Sequence, residues 1–155
     1  LLIVVDTHIA NLLEAKDIFA SCKNVVVIDH HRRNADYIDD AEIFYHLPLS
    51  SSTCEMVSEL LEYSTTQITI PPEIATALLA GIVLDTKDYV LKTSQRTFEA
   101  AAFLKQNGAN TVEVKKLFSV SVEQINGENE IIKNAITYKN CIISIADKKI
   151  ENLRV

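Results

Sequence analysis

Two short apolar runs, each ending at an aspartate, limit what this chain can fold into more than any other feature. The first is Leu1-Leu2-Ile3-Val4-Val5, closed by Asp6, and the second is Val25-Val26-Val27-Ile28, closed by Asp29. Continuous runs rich in β-branched residues read as strands buried on both faces, the pattern of a parallel sheet. Parallel strands need a crossover. Ile9, Leu12, Leu13, Ile18 and Phe19 recur at roughly helical spacing between the runs and predict a helix over Asn11 to Ala20. The opening is therefore a β-α-β unit, and Glu42 to His46 is expected to add a third, shorter strand.

The remainder reads as helical. Ser52-Thr53-Cys54-Glu55 has capping-box spacing ahead of Met56, Val57, Leu60 and Leu61, which predicts a helix from about Thr53 to Tyr63. Pro71 and Pro72 suit the first turn of another, whose Ile74, Leu78, Leu79, Ile82 and Val83 form a broad apolar face leading to Asp85. Ser94 can cap a helix over Gln95 to Gln106 that Gly108 stops. Helical patterns follow over Thr111 to Ser119 and Val122 to about Thr137, and Cys141 to Ala146 is a last strand-like run. The expected fold class is α/β: a parallel β-sheet flanked by helices, with a helix-rich second half. Without a low-complexity linker or repeat, the 155 residues read as a single domain.

Composition narrows the function classes. A formal charge of -6 repels a polyanion, so long nucleic acid is disfavoured as a partner, whereas a small anion held through metal ions remains compatible. Cys22, Cys54 and Cys141 are odd in number and form no C-x-x-C pair, which excludes a disulfide framework or zinc knuckle and fits a reducing, cytoplasmic setting. No run approaches the ~18 apolar residues of a membrane span, and no membrane contact by this segment is expected.

In an open parallel sheet, ligands gather at the carboxyl ends of the strands, where Asp6 and Asp29 both fall. Two carboxylates at one crevice are costly unless a cation lies between them. His30 and His31 add imidazole nitrogens beside those oxygens, and an oxygen-rich set with one or two imidazoles suits Mn²⁺ or a similar six-coordinate ion better than tetrahedral zinc. Taken singly, each aspartate is equally a turn or cap residue. An Asp-His-His triplet closing a buried strand is what favours a metal or phosphate role. His8 and His46 have no such setting and read as surface or packing residues. Arg32 and Arg33 would put fixed positive charge beside a phosphate, though a solvated loop pair explains them equally well. Ser51 and Ser52 open a helix whose free amides can hold an anion, and simple capping explains them too.

At Val-Val-Val-Ile-Asp29-His30-His31-Arg32-Arg33 the sequence resembles the DHH phosphoesterase family. Further matches follow that family's order: Ile-Val-Val-Asp6-Thr, then Leu79-Ala-Gly-Ile-Val-Leu-Asp85-Thr86. With Ser51-Ser-Thr-Cys-Glu55 and Thr93-Ser-Gln-Arg96-Thr97-Phe98, the resemblance is to the branch of membrane-anchored cyclic-di-AMP phosphodiesterases. It implies two Mn²⁺ ions, with Asp6 bridging them and His30 and Asp85 completing one metal shell. Asp29 would orient the motif from behind, and His31 would face the scissile phosphate, with Arg32, Arg33, Ser51 and Ser52 on the substrate side. The implied reaction opens cyclic-di-AMP to a linear dinucleotide with a water activated by the metals.

The family's first motif, His-x-x-x-Asp-x-Asp, and its smaller C-terminal substrate domain have no counterpart in these residues, so both ends are expected to be cuts. Residues 1–146 read as the DHH domain, and 147–155 as the start of a connection. The metal centre is expected to be partial or empty in this piece, with weak or absent turnover, while the parent would be anchored in the cell membrane with this domain facing the cytoplasm. A homodimer is one assembly the sequence allows. An oligoribonuclease-like phosphoesterase acting on short linear dinucleotides shares every metal ligand, and a non-catalytic nucleotide-binding or signalling module is the alternative of a different class.

Overall fold

The computed structural model describes residues 1–66 and 68–145, which form two compact units, one of residues 1–117 and one beginning at 118. In the first unit, β1 (Leu2–Val5), β2 (Val25–Asp29) and β3 (Ile43–His46) make a parallel sheet in that order. Val5 lies opposite Ile28, and Asp29 opposite His46. The central strand is the one buried on both faces, with Val25 and Val27 inside on one and Ile28 on the other. In β1 only Val4 is buried, while Ile3 and Val5 are 54% and 51% exposed. The expectation that β1 would be buried on both faces is thus corrected. An edge strand has one neighbour, and helices cover one of its faces among the described residues.

The predicted first helix is also divided. A 3-10 turn (Ala10–Leu12) is followed by extended backbone at Leu13, and α1 starts only at Lys16, running to Ser21. Packing explains the break, because the interrupted path sets Ala10, Leu13 and Phe19 against the Val4, Val25, Val27 and Ile38 core and leaves Leu12 and Ile18 outside. Tertiary burial outweighs a weak local preference for helix.

The other helices lie close to their expected bounds: α2 (Thr53–Glu62), α3 (Pro72–Asp85), α4 (Gln95–Gln106) and α5 (Thr111–Leu117). Ser52 caps α2 by accepting from the Glu55 amide at 3.0 Å. The Glu55 carboxylate does not close a capping box and instead accepts from the Ser51 hydroxyl at 2.5 Å. Ser94 and Thr97 share a cap on α4, the Ser94 amide donating to Thr97 Oγ1 at 3.0 Å, and Gly108 at φ 89° ends the following turn. α3 packs on α2, α4 and α5 around buried Met56, Ala75, Leu79, Ile82, Ala100, Leu104 and Val114. No helix among the described residues is long and apolar enough to cross a membrane.

In the second unit, α6 (Val122–Lys133) stops short of Thr137, which belongs instead to β4 (Ile136–Tyr138), paired antiparallel with β5 (Cys141–Ile143). Lys139 supplies the positive φ of 54° that a two-residue hairpin turn requires. Lys-Asn is a weak turn signal, so the alternating pattern of Ile136 to Tyr138 reads as a continuation of the helix. Ala146, and with it the end of the last predicted strand, lies outside the described residues, as does the predicted connection over 147–155.

Gly81 is required where α3 crosses α2. A Cβ there would come within 2.2 Å of Cys54 Sγ and 3.1 Å of Cys54 Cβ. Gly81→Ala is therefore expected to destabilise the chain by about 1–3 kcal/mol through overpacking. Adding Cys54→Ala should recover much of that loss, a non-additive pair readable from urea unfolding midpoints.

Candidate metal centre

The site forms where three elements end. Asp6 follows β1 in the left-handed region at φ 63°, an uncommon conformation that aspartate tolerates better than most residues. Asp29 is the last residue of β2, His30 and His31 follow it, and Asp85 is the last residue of α3. His30 Nε2 lies 3.6 Å from Asp6 Oδ1 and 3.5 Å from Asp85 Oδ2. Its other nitrogen, Nδ1, is 3.3 Å from the Ser50 carbonyl oxygen. A carbonyl only accepts, so Nδ1 donates, and Nε2 is the nitrogen that faces the two carboxylates.

An imidazole nitrogen with carboxylate oxygens of two different aspartates within 3.6 Å of it fits a cation. The electrostatics agree. Burial raises the Asp85 carboxyl above its ordinary range; His30 partly offsets this, and the Asp6 charge adds to it. Cys54, buried nearby, is pushed up to about 11, by burial first and then by Asp85 and Asp6. Without a metal its thiol stays protonated at neutral pH. Asp6, His30 and His31 also bring one donor atom each within 4.8 Å of one another.

Asp29 is fully buried and accepts from two imidazoles. The His31 amide donates to Oδ1 at 3.2 Å and His31 Nδ1 donates to the same oxygen at 2.8 Å. Oδ2 accepts from His8 Nδ1. Burial works against the charge, but the hydrogen bonds from His8 and His31 together hold the carboxyl below the usual range. With Nδ1 committed, His31 is left with Nε2 on the far side of a half-exposed ring.

The remaining predicted residues are more scattered. Arg33 stacks over the Tyr37 ring at 4.0 Å, and Arg32 is exposed. Ser51 and Ser52 are buried with their hydroxyls engaged at the start of α2, as capping requires. Two histidines without a motif in the sequence lie behind the site. His8 is only 2% exposed, and His46 lies beside it with ring centroids 5.2 Å apart. The signal that could have found His8 is its place two residues beyond a strand-end aspartate, and for His46 the end of the third strand.

Residues 1–82 match the model of the DHH family, N-terminal domain. The chain is 42% identical over 142 residues to the cyclic-di-AMP phosphodiesterase GdpP of Bacillus subtilis, covering 92% of this chain and 22% of that protein. It is 38% identical over 138 residues to the cyclic-di-AMP phosphodiesterase PdeA of Listeria monocytogenes, covering 89% and 21%. The chain thus spans about a fifth of the length of these relatives. Among solved structures, an exopolyphosphatase-related protein from Bacteroides fragilis superposes with a TM-score of 0.76 at 20% identity, covering 88% of this chain and 42% of that one. That likeness extends to the fold.

The two perturbed carboxyls have opposite effects on stability. Asp29, lowered in the folded state, contributes stability that is whole above its ordinary pKa of about 3.9 and is lost as pH falls through its lower folded value. Asp85, raised in the folded state, costs stability above its folded value, and acidification relieves that cost. In metal-free protein, Asp85→Asn should raise the urea midpoint at pH 7 and have little effect at pH 3. Asp29→Asn should lower the midpoint at pH 7, and by less toward pH 3. The same direction of change for both variants would contradict these assignments.

Proposed function

The chain belongs to the DHH family, and on that premise we propose that it forms the catalytic domain of a metal-dependent phosphodiesterase that opens cyclic-di-AMP to a linear dinucleotide. The observation that carries the reading is the meeting of Asp6, Asp85 and His30 Nε2 at one edge of the sheet. These three would hold Mn²⁺, an ion that accepts oxygen and imidazole donors together. Bound there, the metal supplies Lewis-acid polarisation of the phosphate and activation of water.

The chain's own residues set the rest of the chemistry. Asp29 aims His31 through Nδ1 and fixes which nitrogen faces outward. A proton held at His31 Nε2 is supported by the buried carboxylate behind the ring and is available to a phosphodiester oxygen, the logic of an acid-oriented imidazole. Arg32 and Arg33 belong to the loop that follows and supply guanidinium charge on the substrate side; reaching the substrate requires Arg33 to leave its Tyr37 stack. Ser51 and Ser52, whose hydroxyls are engaged at the start of α2, contribute by holding that helix start beside the Ser50 carbonyl that contacts His30. Residues 1–146 are taken as the phosphoesterase domain, followed by a link to a separate substrate-binding domain, in a membrane-anchored protein whose catalytic domain faces the cytoplasm. The names of the two cyclic-di-AMP phosphodiesterases favour the cyclic substrate over a short linear one.

The test uses protein expressed from the complete reading frame. Asp6→Ala should lower Mn²⁺-dependent hydrolysis of cyclic-di-AMP by at least about 100-fold, beyond the usual cost of losing a residue that only supports a ligand. Unchanged turnover would overturn the metal reading. Faster turnover of linear di-adenylate than of the cyclic substrate would transfer the assignment to an oligoribonuclease-like activity, and no hydrolysis by the unmodified protein would favour a nucleotide-binding module.

A further inference from the structure

His8 commits both ring nitrogens and its carbonyl oxygen to hydrogen bonds. Its Nδ1 faces Asp29 Oδ2, its Nε2 is 3.0 Å from the Asn34 amide nitrogen, and its carbonyl accepts from the Ile38 amide at 2.9 Å. The Asn34 N–H only donates, so Nε2 carries the lone pair and Nδ1 the proton. That is the tautomer that donates to Asp29. The ring is packed edge-on against Phe44 and His46, and His46 Nε2 in turn donates to the His31 carbonyl at 2.6 Å.

Asp29 and Asn34 lie at the two ends of the segment that carries His30, His31, Arg32 and Arg33. We propose that His8 is the positioning residue of this segment: by donating from Nδ1 to Asp29 and accepting at Nε2 from Asn34, it fixes the carboxylate that aims His31 and pins the loop behind it. Few other side chains do both, because donor and acceptor must sit on opposite sides of one rigid, buried ring. Asparagine places an amide near the position of Nδ1 and keeps the link to Asp29. Glutamine reaches the position of Nε2 and keeps the link to Asn34. The assignment rests on the proposed phosphodiesterase reading only for its catalytic consequence.

A competing use of the same residues is a separate metal site, since His8, Asp29 and His46 bring donor atoms within 4.8 Å of one another. His8 argues against it, because neither ring nitrogen retains a free lone pair once both hydrogen bonds are made.

Two readouts test the proposal. In ¹⁵N-histidine-labelled protein, two-bond ¹H–¹⁵N spectra should show His8 and His31 both protonated at Nδ1. His31 should keep that tautomer in His8→Asn and become a mixture in His8→Ala and His8→Gln. In the protein from the complete reading frame, His8→Ala and His8→Gln should lower kcat for cyclic-di-AMP by about 10–100-fold with KM little changed, and His8→Asn should recover most of the loss. If His8→Ala does not fold, the Asn and Gln pair decides, and an Nε2-protonated His8 in the unmodified protein overturns the proposal without any variant. A folded His8→Ala with normal kcat and an unaltered His31 spectrum also overturns it. So does a His8→Asn variant no better than His8→Gln, or a Zn²⁺ titration that moves a His8 ring nitrogen into the metal-bound range. Failure of the unmodified protein to hydrolyse cyclic-di-AMP removes the functional reading, and the spectra still decide the role of His8.

Discussion

The parallel pairing of β1 with β2, in which Val5 lies opposite Ile28, carries Asp6 and the Asp29-His30-His31 triplet to the same edge of the sheet. That edge would be an ordinary sheet terminus without α3, which ends there on Asp85. The placement is electrostatically unfavourable on its own. The carboxyl end of a helix carries partial negative charge from its unpaired carbonyls, and Asp85 adds a full charge to it beside Asp6. Burial first, and the neighbouring negative charge after it, raises both the Asp85 carboxyl and the Cys54 thiol. A bound cation offsets all of these costs together, and their coincidence at one point is the physical basis for reading the edge as a metal centre.

A different balance governs the residues behind it. Asp29 has lost its water altogether, and an ionised carboxylate in that position is tolerated only when its lone pairs are filled. Two imidazoles and a backbone amide donate to both of its oxygens. The same bonds fix one tautomer for His8 and leave His31 with Nε2 outward, just as the Ser50 carbonyl fixes the tautomer of His30. Directional hydrogen bonds to groups that only accept thus place a proton on Nδ1 of three rings. The buried polar groups of this region are therefore part of the chemistry as well as of the packing.

Much of this was legible in the sequence, and the reasons differ between elements. The strands were clear because a β-branched run ending in aspartate has few other interpretations, and the caps at Ser52 and Ser94 marked helix starts by a local mechanism. Local patterns failed where a distant contact decides. The break at Leu13 depends on a core built from Val4, Val25, Val27 and Ile38. The exposed face of β1 depends on which strand has neighbours on both sides, and the turn at Lys139 on a backbone conformation its residue type does not advertise. Asp6, His30 and Asp85 could be grouped from motif order, but only the folded chain shows which His30 nitrogen faces the acids. His8 was read as surface or packing because nothing near it in the chain reveals the Asp29 carboxylate, which is 21 residues away.

The central claim is that His30 Nε2, with Asp6 and Asp85, binds the metal. Pulsed electron paramagnetic resonance of Mn²⁺ loaded into ¹⁵N-histidine-labelled protein from the complete reading frame reads directly coordinated imidazole nitrogen. A hyperfine coupling from a bound imidazole that disappears in His30→Gln is the expected result. A Mn²⁺ spectrum without coordinated nitrogen, or one that His30→Gln leaves unchanged, would contradict the account.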